Sequence, residues 1–160
     1  MSASAMFSKT GVGQRILLTL WVGGLWTTGY LVAPVLFHAV DDRRLAGEIA
    51  GRVFSAMNYL GLACGILLLL AVMYQAGRTW ARTWQLWVLL AMLLLVGVGE
   101  FVLQPLIHTL KAATPEGFIE GSAAAARFGM LHGVSSLLFL ITSLLGLALV
   151  ACGLKHDSDH

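Results

Sequence analysis

Glu100 is the one acidic residue inside the long apolar runs of this sequence, in the stretch Gly97-Val-Gly-Glu-Phe-Val-Leu-Gln-Pro-Leu-Ile-His108. On a continuous α-helix Glu100, Gln104 and His108 stand at i, i+4 and i+8 and form one polar stripe. A carboxylate in hydrocarbon costs several kcal/mol, so such a residue faces other helices or a wet cavity. Its candidate chemistry is proton carriage, cation ligation or substrate anchoring. The competing structural role is a buried hydrogen bond or an ion pair to Arg52, Arg127 or a nearby amide.

Three histidines, His38, His108 and His132, lie near the same ends of their apolar runs. Neutral imidazole nitrogens ligate metals and haem iron, and the thioethers of the neighbouring Met57 and Met130 suit Cu(I). The plainer readings are interfacial histidines and methionine as core filler. No CxxC, HExxH or CxxCH motif, nucleophile–base pair or phosphate-cradling glycine loop occurs, which leans away from an enzyme. The predicted binding cluster is Glu100, Gln104, His108, His132, Asn58, Arg52, Arg127 and Ser136. The predicted metal or haem set is His38, His108, His132, Met57 and Met130, for haem b or copper.

The elements that position these residues follow from composition. Of 160 residues, 58% are hydrophobic and 11% charged, where a soluble domain carries roughly 25% charged residues. The chain therefore reads as an integral membrane protein whose main partner is the lipid bilayer. A net charge of +2 without a basic cluster excludes nucleic-acid binding. Crossing ~30 Å of hydrocarbon takes about 20 residues, and four runs are long enough: 16–38, 53–77, 86–108 and 128–153. Hydrocarbon admits no unpaired backbone, so each is a helix. Short linkers give an all-α, antiparallel four-helix transmembrane bundle, a single domain over residues 1–160.

The first run is too long for a signal-peptide core and reads as an uncleaved span. Lys9 and Arg15 before it, and the acid-free linker Arg78-Thr-Trp-Ala-Arg-Thr-Trp-Gln85, favour N-in/C-in in a bacterial inner membrane. Trp80, Trp84 and Trp87 then form an interfacial belt at the inner turn. Cys64 and Cys152 fall about half a bilayer apart, too far for a disulfide. In the outer linkers, Asp41-Asp42 and Thr114-Pro115-Glu116 are helix starts that lead into the second and fourth spans, the latter with a break at Gly121-Ser122.

The two halves look alike. Pro34-x-x-x-His38 ends the first span and Pro105-x-x-His108 the third; Arg52-x-Phe54-x-x-Met57-Asn58 opens the second and Arg127-Phe128-x-Met130-x-His132 the fourth. A duplicated hairpin in parallel orientation carries a pseudo-two-fold axis along the membrane normal. Gly61/Gly65, Gly129/Gly133 and Gly29/Ala33 are small-x-x-x-small pairs. Such faces serve either packing within the chain or a homo-oligomer or membrane-protein partner.

Gly29-Tyr-Leu-Val-Ala-Pro-Val-Leu-Phe37, Arg52-Val-Phe-Ser-Ala-Met-Asn-Tyr59, Gln104-Pro105 and Phe128-Gly-Met-Leu-His-Gly-Val-Ser-Ser136 resemble the transmembrane protein 205-like family of small four-helix membrane proteins. The resemblance spans roughly residues 10–153. It implies a bacterial-type inner-membrane protein and carries over no catalytic residue. The leading expectation is a protein that binds or moves a small cation or metal species through the outer-half polar cluster. The alternatives are a haem b redox protein with histidine pairs and an assembly partner in a membrane complex.

Overall fold

The structure, a computed structural model, describes residues 9–76, 83–114, 117–119 and 121–153. Arg78, Trp80, Arg82, Pro115, Glu116, Glu120 and Lys155 lie outside them. Four helical rods run up and down. The first joins α1 (Lys9–Trp26), a π-helical stretch Thr27–Val32 and α2 (Ala33–Ala39). The second is the single helix α3 (Arg43–Ala76). The third joins α4 (Trp84–Val98), a π-helical stretch Gly99–Leu103 and α5 (Gln104–Ala113), and the fourth is α6 (Ala123–Cys152). Each rod is long and apolar enough to cross a membrane, so the chain is an all-α, multi-pass membrane bundle.

The rods begin and end where local chemistry directs. Asp42 caps α3: its Oδ1 accepts from the amides of Arg44 at 2.8 Å and Leu45 at 3.2 Å. The helix start expected at Thr114 is not there. Thr114 instead closes α5, its hydroxyl donating to the Leu110 carbonyl, and α6 begins nine residues later behind Ser122, whose Oγ accepts from Ala125 N. Gly121 and Gly153 flank α6 with φ of 79° and 72°, a left-handed backbone that suits glycine at both places.

The first and third rods each carry a proline towards their C-terminal ends, and both meet it in the same way. The residue before each proline donates one position further back than an α-helix allows: Ala33 N to Thr28 O, and Gln104 N to Gly99 O. Proline lacks an N–H and crowds the carbonyl four residues back, and one wide turn relieves the crowding without an open backbone in lipid. The first and third rods thus share this device at matching places.

The rods form a ring in which the first and third each pack against the second and fourth. One half of the bundle is dense. There Trp21 is fully buried with Leu68, Leu89, Met92 and Leu149. A side chain at Gly61 or Gly65 would strike the Trp21 indole, and one at Gly146 would strike Val22 and Met92. The Gly61/Gly65 face is thus used within the chain and is not free for a partner, whereas Gly129 and Gly133 are exposed with open space beside them. Lipid is as apolar as leucine, so this half is held by close packing rather than by a hydrophobic drive. Outward-facing Leu70, Leu94, Leu137 and Leu144 give the ring its lipid surface.

Candidate functional site

The end of the bundle that carries the 40–42 and 114–122 connections, here the far end, is built differently. A cavity of about 510 Å³ lies among all four rods. Its walls are largely apolar, with Leu25, Phe37, Phe54, Val96, Ile107 and Phe139 among them. Towards the mouth the wall from α3 is made of small residues, Gly47, Ala50 and Gly51, with Phe54 and Asn58 deeper on the same helix, and the small residues leave the space open. Phe139 crosses the ring, meeting Phe54 edge-on with centroids 5.5 Å apart and Tyr30 at 5.6 Å. Its ring lies over Gly29, where any side chain would collide with it.

Polar groups enter this lining from three rods: Asn58 from α3, Gln104 and Lys111 from α5, and His132, Ser135, Ser136 and Thr142 from α6. Several are already satisfied. Ser136 Oγ donates to the His132 carbonyl and Thr142 Oγ1 to the Leu138 carbonyl, both within the helix. Asn58 Nδ2 donates to Glu100 Oε2 at 2.9 Å, and Ser55 Oγ donates to Glu100 Oε1 at 2.6 Å. Glu100 itself is buried in the π-helical turn and stands behind Asn58 rather than on the cavity surface. Both carboxylate oxygens are therefore engaged by α3, and among the described residues no cation lies within ion-pair distance.

The polar stripe predicted on the third span does not survive as one face. The extra residue of the π turn rotates the chain by about 100° relative to a regular helix. Glu100 consequently faces α3 while Gln104 lines the cavity; His108, one regular turn beyond Gln104 in α5, is exposed and off the lining, which follows Ile107 and Lys111 instead. Arg52 and Arg127 are exposed and do not pair with Glu100. Of the expected cluster, the structure brings together Asn58, Glu100, Gln104, His132 and Ser136, and leaves out Arg52, His108 and Arg127.

The expected metal or haem set is scattered. His38 is exposed and its Nδ1 donates to the Pro34 carbonyl at 2.8 Å. Met57 packs against the dense half beside Gly24, while Met130 is 64% exposed. Among the described residues no three His, Cys, Asp or Glu side chains are grouped to hold a metal.

One residue of the site was not anticipated. Lys111 lies at the cavity mouth, its ammonium 5.9 Å from the Phe128 ring centroid and 3.5 Å from the Gly47 carbonyl. Phe128 stacks on Phe118 at 4.6 Å and on the His132 imidazole at 5.9 Å. The mouth is thus an aromatic rim with a cation beside it. The sequence signal was the seven-residue step from Gln104 to Lys111, two helical turns that keep both on one face.

A family model described as a domain of unknown function (DUF4149) matches residues 16–116, from the first rod through the end of α5. No curated protein and no solved structure matches the chain.

Proposed function

The chain belongs to the DUF4149 family, a domain of unknown function, and from that premise we propose that it binds a small, mainly apolar molecule inside the membrane. The observation that carries this reading is the far-end cavity of about 510 Å³. Its volume falls in the range that encloses a drug-sized ligand, and its make-up, apolar walls with a few convergent polar groups, is that of a ligand site. A void of this size left empty forfeits the dispersion contacts that hold a membrane bundle together. A molecule that fills it restores them.

The test is an organic extract of the purified protein analysed by mass spectrometry, compared with the same extract from Gly51→Trp. Gly51 lines the cavity and has open space beyond its Cα, and replacing a helical glycine favours the helix by up to about 1 kcal/mol. The variant should fold and lose a molecule that the parent protein carries. Identical extracts would overturn the reading.

A second reading, proton or cation binding at Glu100, draws support from one fact. Glu100 is a buried carboxylate with no cationic partner among the described residues, joined through Asn58 to the cavity wall. Loss of cation binding in Glu100→Gln, with folding intact, is its test. Haem or copper at His38, His108, His132, Met57 and Met130 has less support, because those side chains point to different surroundings. Association through glycine faces rests on Gly129/Gly133 alone.

The transmembrane protein 205-like resemblance belongs to the same proposal. Its motifs at 29–37, 52–59 and 104–105 fall within the matched segment 16–116, and the one at 128–136 falls beyond it. So does an N-in/C-in orientation in a bacterial inner membrane, supported by Lys9, Arg15 and the acid-free 78–85 linker. It turns the cavity mouth outward.

A further inference from the structure

Among the described residues Lys111 is the one lysine, arginine or carboxylate side chain on the cavity lining. An ammonium offers three donors. Among the described residues Lys111 meets no carboxylate, and its one hydrogen-bond acceptor is the Gly47 carbonyl at 3.5 Å, the outer limit of such a bond. Asn58 gives an N–H to Glu100, and the Ser136 and Thr142 hydroxyls are used by the His132 and Leu138 carbonyls. Hydrogen-bonding capacity remains at Gln104, Ser135, His132 and Lys111, and of these Lys111 brings the fixed charge.

The cavity is also polarised and long. On the first rod it extends from Leu25 at its floor to Phe37 at its mouth, about 18 Å at helical rise. The floor is mainly aliphatic, with Asn58 and Thr142 beside Leu25 and Val96, and the mouth carries the Lys111 ammonium. Lys111 sits in the last turn of α5, two residues before its end, at the depth where a lysine stem lies in hydrocarbon and its head reaches the interface.

Resting on the cavity reading above, we propose that the occupant is a single-chain amphiphile with a carboxylate head, a molecule of the long-chain fatty-acid type. Its head pairs with Lys111 beside the Phe118–Phe128–His132 rim, and its chain runs down between Phe54, Phe139 and Val96 towards Leu25. A volume of about 510 Å³ accommodates one such chain.

The experiment measures binding of isotopically labelled palmitate, and of its neutral methyl ester, to the full-length protein in nanodiscs. The parent protein is compared with Lys111→Met, Lys111→Arg and Gly51→Trp. Losing a charge-assisted contact should weaken palmitate binding by about tenfold or more in Lys111→Met. Lys111→Arg should restore it, and the methyl ester should bind the parent and Lys111→Met alike. Gly51→Trp should remove both ligands. Equal palmitate affinity for the parent and Lys111→Met, with both ligands lost in Gly51→Trp, overturns the carboxylate assignment and leaves the cavity reading standing. Unchanged binding of both ligands in Gly51→Trp overturns the cavity reading and the assignment with it.

Discussion

Breaking the hydrogen bond from Asn58 to Glu100 is the sharpest perturbation the structure offers. Asn58→Leu nearly keeps the side chain's volume but removes the donor that stands 2.9 Å from Oε2, leaving Ser55 as the only partner of a buried carboxylate. Hydrogen bonds to charged groups contribute about 1.5–3 kcal/mol in proteins, whereas coupling energies between polar groups within a membrane average about 0.6 and reach about 1.7. The second figure is lower because the unfolded chain in lipid also finds partners. Glu100 has both oxygens engaged and no cation beside it, so the upper part of the membrane range applies. Asn58→Leu should cost about 1–2 kcal/mol in the parent and much less in a Glu100→Leu background, where both partners are apolar. Ser55 does not confuse the cycle, since its hydroxyl can turn to the carbonyl four residues back. Reversible unfolding in mixed micelles of the four proteins gives the coupling energy. A value under about 0.5 kcal/mol, within the scatter of independent sites, would refute the claim that α3 holds this carboxylate.

Other outcomes follow from the packing. Gly65→Leu, which drives a side chain into Trp21 and Leu93, should destabilise by about 1–3 kcal/mol; Gly129→Leu, with open space around it, should leave the thermal midpoint level or slightly raised. Trp21→Ala, at a residue 1% exposed, should cost roughly 2–4 kcal/mol, the lower part of the range for such truncations because lipid removes the transfer term; the loss is read from micellar unfolding. Asp42→Ala removes the acceptor of two α3 amides and should cost about 1 kcal/mol, visible as faster amide exchange over the first turn of α3.

What the sequence reveals and what it conceals divide along physical lines. The spans were legible because length and apolarity alone decide them in a bilayer, and the rods at Arg43–Ala76 and Ala123–Cys152 cover 53–76 and 128–152 of the runs expected at 53–77 and 128–153. Glu100 was legible as buried because its position in hydrocarbon leaves no cheap alternative. Of the partners considered, a nearby amide is found in Asn58, Arg52 and Arg127 stand apart, and the second partner is the Ser55 hydroxyl. The stripe of Glu100, Gln104 and His108 failed because helical spacing assumes 3.6 residues per turn throughout. Pro105, and Pro34 in the matching place, were the signs that one turn would be wider. The cavity could not be read at all: it depends on Gly47, Ala50 and Gly51 facing the same space as Gly29, which is a property of packing among four rods. Lys111 was passed over for that reason, since a lysine near a span end is ordinary until a void lies beneath it.

The wide turns before Pro34 and Pro105 have a consequence for how the protein can vary. Each stores one supernumerary residue between the dense half and the cavity mouth. Deleting that residue would let the turn close to an ordinary helix and swing α2 or α5 by about 100°, carrying Gln104 and Lys111 away from the cavity without altering a side chain. The dense half would hardly register the change. The identity of the groups presented to the cavity is thus governed by chain length at two points, and a one-residue insertion or deletion there would remodel it more thoroughly than most substitutions.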